Sequence, residues 1–372
     1  MRRLALALLL APLAACTPAP PPAPLGLPAM EVPPDNPLTV QKAALGRKLF
    51  FDRRLSPNGT MSCAMCHVPE QGFTAHELAT PVGIEGRSVR RNAPTVLNAG
   101  WLKRLFHDGR EISLENQVWG PLLAANEMGN PSIGYVIERI RALSDYGGLF
   151  EAAFDGKTVS AERIGAALAS YERTLAAGNS RFDRWRYGRE AAALDRQEQA
   201  GFAIFAGKGR CAACHLVGPR DALFTDHAFH NTGVGWRRSS ETAARTRVQL
   251  APGVHAEIAR EALETFSEAP AHDVGRYEIT LDPKDRWAYR TPSLRNVELT
   301  APYMHDGSLP SLEAVIEFYD RGGIDNPEKS ARIAPLSLSG EERAALVAFL
   351  KTLTGNGIEA LVAQARATPI DQ

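Results

Sequence analysis

The sequence predicts a mainly α-helical fold, built as two tandem domains of the same layout. The pentapeptide Cys-x-x-Cys-His occurs twice, at 63–67 and 211–215. A helical stretch precedes each copy, at 40–51 and at 195–206, and a polar turn with glycine or asparagine separates it from the motif. Because the same features recur in the same order, a duplicated helical domain is the simplest architecture.

An amphipathic helix is predicted to close each half. Ser160 is a good N-cap for the first of these helices, and Ser339 with Glu342 forms a capping box for the second. Apolar residues then recur at helical spacing on one face of each helix. These stripes are Ile164, Leu168, Tyr171 and Leu175 in the first helix, and Leu346, Phe349, Leu350 and Leu353 in the second.

The two pentapeptides predict two covalently bound haem c groups. In this motif the two thiols add to the haem vinyl groups, and the histidine becomes an iron ligand. A redox dithiol or half of a zinc site needs no histidine after the second cysteine, and the motifs use four of the chain's five cysteines. We therefore predict two cytochrome c-type domains. The attachment residues are Cys63, Cys66 and His67, and Cys211, Cys214 and His215.

The amino terminus predicts export and a lipid anchor. Arg2 and Arg3 precede a short apolar run, and Leu13–Cys16 is typical of a bacterial lipobox, in which Cys16 is acylated after cleavage. An ordinary signal peptide with an incidental cysteine is the alternative. The expected location is periplasmic, anchored by lipid to the outer membrane. The predicted segments are 1–15 (signal peptide), 16–37 (extended proline-rich tether), 38–178 and 179–357 (the two domains), with an insertion at 239–273 that is helical around 255–266.

Composition excludes some kinds of partner. Lys+Arg and Asp+Glu both number 42, so no net field favours nucleic acid. No run after the signal peptide is long and apolar enough to span a bilayer, so we expect membrane contact only through the lipid.

Longer motifs occur on both sides of the two pentapeptides. They are 45–52 (LGRKLFFD), 91–95 (RNAPT), 108–110 (DGR), 126–128 (NEM), 291–296 (TPSLRN) and 301–307 (APYMHDG). From about residue 45 to residue 355, these motifs resemble those of bacterial di-haem cytochrome c peroxidases and their MauG-type relatives. The stretch 119–131 further resembles the MbnH branch, whose members modify a tryptophan in a copper-binding partner.

The resemblance implies that the first haem is the peroxide site. Glu127 matches the family's distal glutamate, and Gln117 and Pro121 match pocket positions. Conventional members close this site with a loop histidine, but 83–86 contains none, and His76 is a weaker candidate. We therefore expect a five-coordinate iron that is open to peroxide. Without the resemblance, Glu127 would be interpreted as a solvated loop carboxylate.

For the second haem, the resemblance implies an oxygen ligand. The family's ligand position, counted from Pro302, is Tyr319, where MauG-type enzymes carry tyrosine. A phenolate is a hard anion that favours oxidised iron, whereas methionine favours ferrous iron. Two alternatives remain: Tyr319 is a core aromatic, or Met304 is the ligand.

Matching family members also bind a calcium ion between the haems, which here implies Asn92, Thr300 and Pro302 as oxygen donors. The family's inter-haem tryptophan is replaced by His107. Charge then hops through another aromatic residue such as Trp101 or Trp119, or tunnels directly, or His107 is structural and bonds a haem propionate.

The predicted function is that of a di-haem peroxidase or oxidase of MauG or MbnH type. It would use hydrogen peroxide, form a high-valent di-haem state, and oxidise a protein partner, such as a tryptophan of an exported copper-binding protein, by long-range electron transfer. One alternative is a conventional cytochrome-c peroxidase that removes peroxide with electrons from a small cytochrome or copper protein. The other is a non-catalytic di-haem electron carrier.

Overall fold

The structure is a computed structural model that describes residues 23–240, 245–251, 254–259 and 273–368. The predicted signal peptide and Cys16 lie outside the described residues. None of the described helices combines the length and the apolar character that a membrane span requires.

The fold is mainly helical, as predicted. The helices are α1 (Val40–Phe51), α2 (Leu114–Gln117), α3 (Trp119–Leu123), α4 (Ile133–Ala142), α5 (Leu149–Ala153), α6 (Ala161–Thr174), α7 (Arg181–Arg186), α8 (Arg196–Ala206), α9 (Val234–Ser240), α10 (Tyr277–Thr280), α11 (Leu312–Asp320), α12 (Gly340–Lys351) and α13 (Ile358–Arg366). The strands are β1 (Phe229–His230), β2 (Arg245–Ala251), β3 (Val254–Ala259) and β4 (Tyr289–Arg290), paired antiparallel as β1–β4 and β2–β3.

Each half is built on one crossing of two helices. In the first half α1 packs on α6, and in the second α8 packs on α12. A glycine makes each crossing close: a Cβ atom on Gly46 would lie 1.9 Å from the Ala167 carbonyl oxygen, and one on Gly201 would lie 2.0 Å from that of Ala345. The predicted helices before the motifs and the two closing helices are therefore confirmed, with their caps at Ser160 and Ser339.

Two hydrophobic cores follow from these crossings. The first surrounds α1, α4 and α6, and the second surrounds α8, α11 and α12. The carboxy-terminal helix α13 returns to the first core, where Ala365 is buried.

An asparagine fixes the end of each closing helix. Asn98 exchanges two hydrogen bonds with the Ala177 backbone, at 2.7 and 2.9 Å. In the second half Asn296 makes one such bond, accepting from the Gly355 N–H at 2.8 Å, and its amide nitrogen has no partner among the described residues. Both asparagines have a positive φ (61° and 62°), a conformation that asparagine tolerates better than most residues.

The two halves also exchange backbone hydrogen bonds. The Asn92 N–H donates to the His305 carbonyl oxygen at 2.7 Å, and the Arg290 N–H donates to that of His107 at 2.8 Å. The two bonds are reciprocal, since Asn92 of the first half donates to the second half and Arg290 of the second half donates to the first. Asn92 and Arg290 therefore occupy matching places in the duplicated fold.

The expected extended tether is wrong for residues 24–36, which we call the strap. The Trp101 indole N–H donates to the Pro28 carbonyl oxygen at 2.9 Å, and Asn36, which is buried, donates to Glu115 at 2.7 Å. The Gly26 carbonyl oxygen accepts hydrogen bonds from Arg295 and from the Ala222 N–H. Proline stiffens this segment, but these donors hold it against both halves.

The expected helix around 255–266 is also wrong in its described part. Residues 254–259 form strand β3, which pairs with β2 across an irregularity between Gln249 and Ala251. The sequence from Val254 to Ile258 alternates apolar and polar residues, which is the period of a strand rather than of a helix. The rest of the predicted helix, 260–266, lies outside the described residues.

Candidate functional site

Each Cys-x-x-Cys-His motif lines its own cavity. A cavity of about 570 Å³ contains Cys63, Cys66 and His67 in its wall, and we call it the first cavity. The second cavity, of about 290 Å³, is lined by Cys211, Cys214 and His215. Each motif begins as a 3₁₀ turn, in which the histidine N–H donates to the first cysteine's carbonyl oxygen.

The two motif histidines are oriented in the same way. The Nδ1 atom of His67 lies 3.3 Å from the Phe73 carbonyl oxygen, and that of His215 lies 2.8 Å from the Phe224 carbonyl oxygen. A carbonyl can only accept, so Nδ1 carries the proton and Nε2 keeps its lone pair. Burial lowers the pKa of both imidazoles, which favours the neutral form that binds a metal.

Three of the four motif thiols have a raised pKa, which does not suit a redox dithiol at the first motif. Burial raises the pKa of Cys63 and of Cys66 to about 12, and that of Cys211 to about 11, so these thiols are protonated at neutral pH. The pKa of Cys214 is lowered by a hydrogen bond with His230. The ligand atoms of Cys214, Asp226 and His230 lie within 4.8 Å of one another, but covalent haem attachment would use this thiol.

The donor set and the cavities fit haem. Each cavity offers paired thiols, a neutral imidazole with a free Nε2 atom, and space beside them. Cys63, Cys66 and His67 would hold one haem, and Cys211, Cys214 and His215 the other.

The three residues expected at the peroxide side all line the first cavity: Glu127, Gln117 and Pro121. Burial raises the pKa of the Glu127 carboxyl, while the charge of Arg110 acts in the opposite direction. Within the described residues, no group donates a hydrogen bond to this carboxylate. Glu127 is therefore a carboxyl that lines the first cavity and can hold a proton there.

The loop that lacks the histidine lies directly on the Glu127 turn. The Ile84 N–H donates to the Glu127 carbonyl oxygen at 2.8 Å. A Cβ atom on Gly83 would lie 2.1 Å from the Asn126 carbonyl oxygen. His76 is exposed and lines neither cavity. The structure therefore brings no histidine of this loop to the first cavity.

In the second cavity, Tyr319 and Met304 both line the wall together with His215. Tyr319 lies on α11, and burial raises the pKa of its phenol. Among the described residues, none forms a hydrogen bond with its hydroxyl group. Tyr319 is half-buried in the cavity wall, so its hydroxyl group has its bonding capacity left for a ligand in the cavity.

Asn92, His107 and Arg290 line both cavities, and they form part of the wall between them. Thr300 and Pro302 line the second cavity only. The His107 Nε2–H donates to the Asn92 carbonyl oxygen at 2.9 Å, and burial lowers the pKa of His107 to about 3. His107 is therefore a neutral, anchored side chain in this wall.

The suggested relay aromatics lie elsewhere. The Trp101 indole binds the strap, and Trp119 packs against the first core. Neither residue lines the first or the second cavity.

Glu172 and Arg290 are among the charged residues of the cavities that sequence reasoning missed. Glu172 is buried on α6 and lines the first cavity, and its Oε2 atom has no hydrogen-bond partner among the described residues. Aligning the two closing helices pairs Glu172 with Leu350, which lines the second cavity. A carboxylate in an otherwise apolar position was the signal available in the sequence.

Comparison with known proteins gives consistent matches. The family model for di-haem cytochrome c peroxidase matches residues 40–191. The methylamine utilization protein MauG of Methylorubrum extorquens is 39% identical over 321 residues, covering 86% of this chain and 79% of the relative. The cytochrome-c peroxidase IdrP1 of Denitromonas iodatirespirans is 36% identical over 335 residues, covering 89% and 86%. The crystal structure of a MauG-like protein associated with microbial copper homeostasis superposes with a TM-score of 0.74 and 34% identity, covering 90% of this chain and 95% of that one.

Proposed function

Because the chain belongs to the di-haem cytochrome c peroxidase and MauG family of peroxide-using oxidoreductases, we propose that it uses hydrogen peroxide to oxidise a protein partner. Two cytochrome c-type domains, 38–178 and 179–357, would each carry one haem. A non-catalytic electron carrier does not fit a family of enzymes.

When bound, the haems would supply the site for peroxide and the redox chemistry. Glu127 serves as the proton carrier of the first cavity. Its carboxylate takes a proton from one peroxide oxygen and returns it to the other, so that water leaves as the O–O bond breaks. A raised pKa suits this task, because the carboxyl must both accept and release a proton near neutral pH. Gln117 and Pro121 shape the space beside it.

The observation that carries the proposal is the contrast between the cavities: Glu127, a half-buried carboxyl with a raised pKa, lies in one, and Tyr319, a half-buried phenol without a hydrogen-bond partner among the described residues, lies in the other. Tyr319 would give up its proton and bind the second iron through oxygen. A hard anionic donor stabilises the oxidised metal, which suits storage of an oxidising equivalent.

The partner is proposed to be an exported copper-binding protein, oxidised at a side chain such as tryptophan. The similarity to a MauG-like protein associated with microbial copper homeostasis supports this choice. The reaction balances, because two electrons and two protons from the partner reduce hydrogen peroxide to two molecules of water.

Three further features belong to the proposal. Calcium binds between the haems at Asn92, Thr300 and Pro302, which are oxygen donors that line the second cavity. Cys16 carries a lipid, and the protein acts in the periplasm at the outer membrane.

The test is to add hydrogen peroxide to the fully oxidised holoprotein without a reductant. We expect an immediate change in haem absorption, because no loop histidine reaches the first cavity. Electron paramagnetic resonance of the resting protein should show one high-spin ferric haem. If the change in haem absorption requires prior reduction, the proposal is wrong, and the protein is a peroxidase whose peroxide site opens only on reduction.

The second candidate is a conventional cytochrome-c peroxidase, which the resemblance to IdrP1 favours. Reduced small cytochromes or copper proteins would then be oxidised at a rate that depends on peroxide. Turnover with these donors, without modification of any partner side chain, would decide for this candidate.

A further inference from the structure

Arg290 is a buried guanidinium in the wall between the two cavities. It is 7% exposed and lines both of them. Among the described residues, its side chain donates to two backbone carbonyls only, those of Phe106 at 3.2 Å and Thr291 at 3.3 Å. Within the described residues, no carboxylate forms an ion pair with it. Burial lowers the pKa of Arg290 to about 10, so the group still carries its charge at neutral pH.

Other buried arginines of this chain are paired with acids. Arg91 binds Asp273 with two nitrogens, both at 2.7 Å, and Arg295 binds Asp183 at 2.9 and 3.0 Å. A buried charge without a counter-charge costs several kcal/mol, on the order of what breaking a buried ion pair costs. Arg290 is thus an exception that calls for an anion.

The duplicated fold places Arg290 opposite the residue expected to bind calcium. Asn92 and Arg290 each precede an x-Pro-Thr/Ser segment, and each N–H donates to the carbonyl of the other half's His-Asp-Gly turn. Both side chains line both cavities. Of these two matching places in the wall, one therefore holds a cation, Arg290, and the other holds a neutral amide, Asn92.

We propose that Arg290 is an anion-binding residue that pairs with haem carboxylates at the wall shared by the two cavities. A guanidinium suits this task, because its planar fork can hold a carboxylate through two parallel hydrogen bonds. The inference rests on occupancy of both cavities by haem, which is part of the proposed function. The positive charge of Arg290 would then balance the negative charge of the haem carboxylates.

One measurable consequence concerns reduction potentials. Reduction adds an electron near Arg290, and a buried cation stabilises that added charge. Removing the cation should therefore shift the midpoint potential of at least one haem to more negative values. A charge-preserving change should shift it less.

The experiment compares the wild-type holoprotein with Arg290→Gln, Arg290→Lys and a control, Arg181→Gln, by spectroelectrochemical titration. Arg181 is a half-exposed arginine that pairs with Glu198 and lines neither cavity. We expect a negative shift in Arg290→Gln, a smaller one in Arg290→Lys, and none in the control. Potentials in Arg290→Gln equal to those of the wild type, at full haem content, would overturn the inference.

Should Arg290→Gln fail to fold, a comparison of the wild type with Arg290→Lys still decides. Redox-induced infrared difference spectra of protein labelled with ¹³C,¹⁵N-arginine should show guanidinium bands that change on reduction and that Arg290→Lys lacks. Their absence in the wild type contradicts the inference. Two haems per chain with no response to peroxide would count against the proposed function and leave Arg290 untouched.

Discussion

Glu127 and Glu172 both line the first cavity, and burial raises the pKa of both carboxyls. Only Glu127 matches the family's distal acid. Glu127→Gln keeps the size of the side chain but removes proton transfer, so we expect the rate of reaction with peroxide to fall by about 10²–10⁴-fold. Stopped-flow absorption measures that rate. The control is Glu85→Gln, since Glu85 is exposed and pairs with Arg87. Equal rates in the wild type and Glu127→Gln would remove Glu127 from the mechanism.

Glu172 should make stability depend on pH. Burial raises its folded-state pKa from 4.5 to about 8. The folded protein then binds this proton more tightly than the unfolded chain, so the free energy of unfolding falls as pH rises from about 4.5 towards about 8. Glu172→Gln should flatten this slope, as measured by urea unfolding across that range. Glu190→Gln, at an exposed site, serves as control. An unchanged slope in Glu172→Gln would show that the carboxyl is not protonated in the folded state.

Tyr319 and Met304 compete for the second iron, and one substitution at each separates them. Tyr319→Phe should abolish the phenolate bands of the holoprotein in resonance Raman spectra, because phenylalanine has no oxygen donor. Met304→Leu should leave them intact. Tyr187→Phe is the matched control, because the Tyr187 hydroxyl donates to Gly218 and lies outside both cavities. Phenolate bands that survive Tyr319→Phe would exclude Tyr319 as the ligand.

At the level of elements, the sequence predicts features that depend on neighbouring residues, such as helix starts. It does not predict features that depend on contacts between distant residues. The α8 and α12 helices have capping boxes within four residues, at Asp195 and Ser339, so the sequence alone indicates their starts. Strand β3 is six residues long, so its alternation of apolar and polar residues is a weak signal for a strand. Its alanine and glutamate residues favour a helix, which explains the wrong prediction. That Arg290 has no acidic partner among the described residues depends on residues distant in sequence, which no local pattern reports.

The β2–β3 hairpin should be dispensable for haem binding. Its strands pair with each other, and no other described element makes an extended contact with them. The ends of the insertion are close, since the Ser239 hydroxyl donates to the Asp273 carbonyl oxygen at 3.2 Å. Replacing 241–272 with a short glycine-serine linker should preserve two haems per chain and the reaction with peroxide. The pyridine haemochrome assay and stopped-flow absorption check this. Loss of haem, with Asp273 retained, would show that the insertion supports the cavities.

The whole molecule is held together by the strap as well as by the wall between the cavities. The strap contacts Trp101 of the first half, and its Gly26 carbonyl oxygen binds Arg295 of the second. Arg295 is also paired with Asp183, and both side chains are almost completely buried. The composition of this segment predicts a stiff chain, but the chain docks because buried donors of both halves meet its carbonyl groups.

Gly26→Ala should therefore destabilise the whole molecule. Gly26 has a φ of +84°, and an added Cβ would lie 1.9 Å from Asp183 Oδ1. Gly59 also has a positive φ, +71°, but its Cβ would meet nothing within 4 Å, so Gly59→Ala should cost only about 1–2 kcal/mol of strain. Gly26→Ala should cost about 3 kcal/mol or more, because it also breaks the buried Arg295–Asp183 pair. Urea unfolding of the two variants measures the difference. Equal losses would mean that the strap is not coupled to this pair.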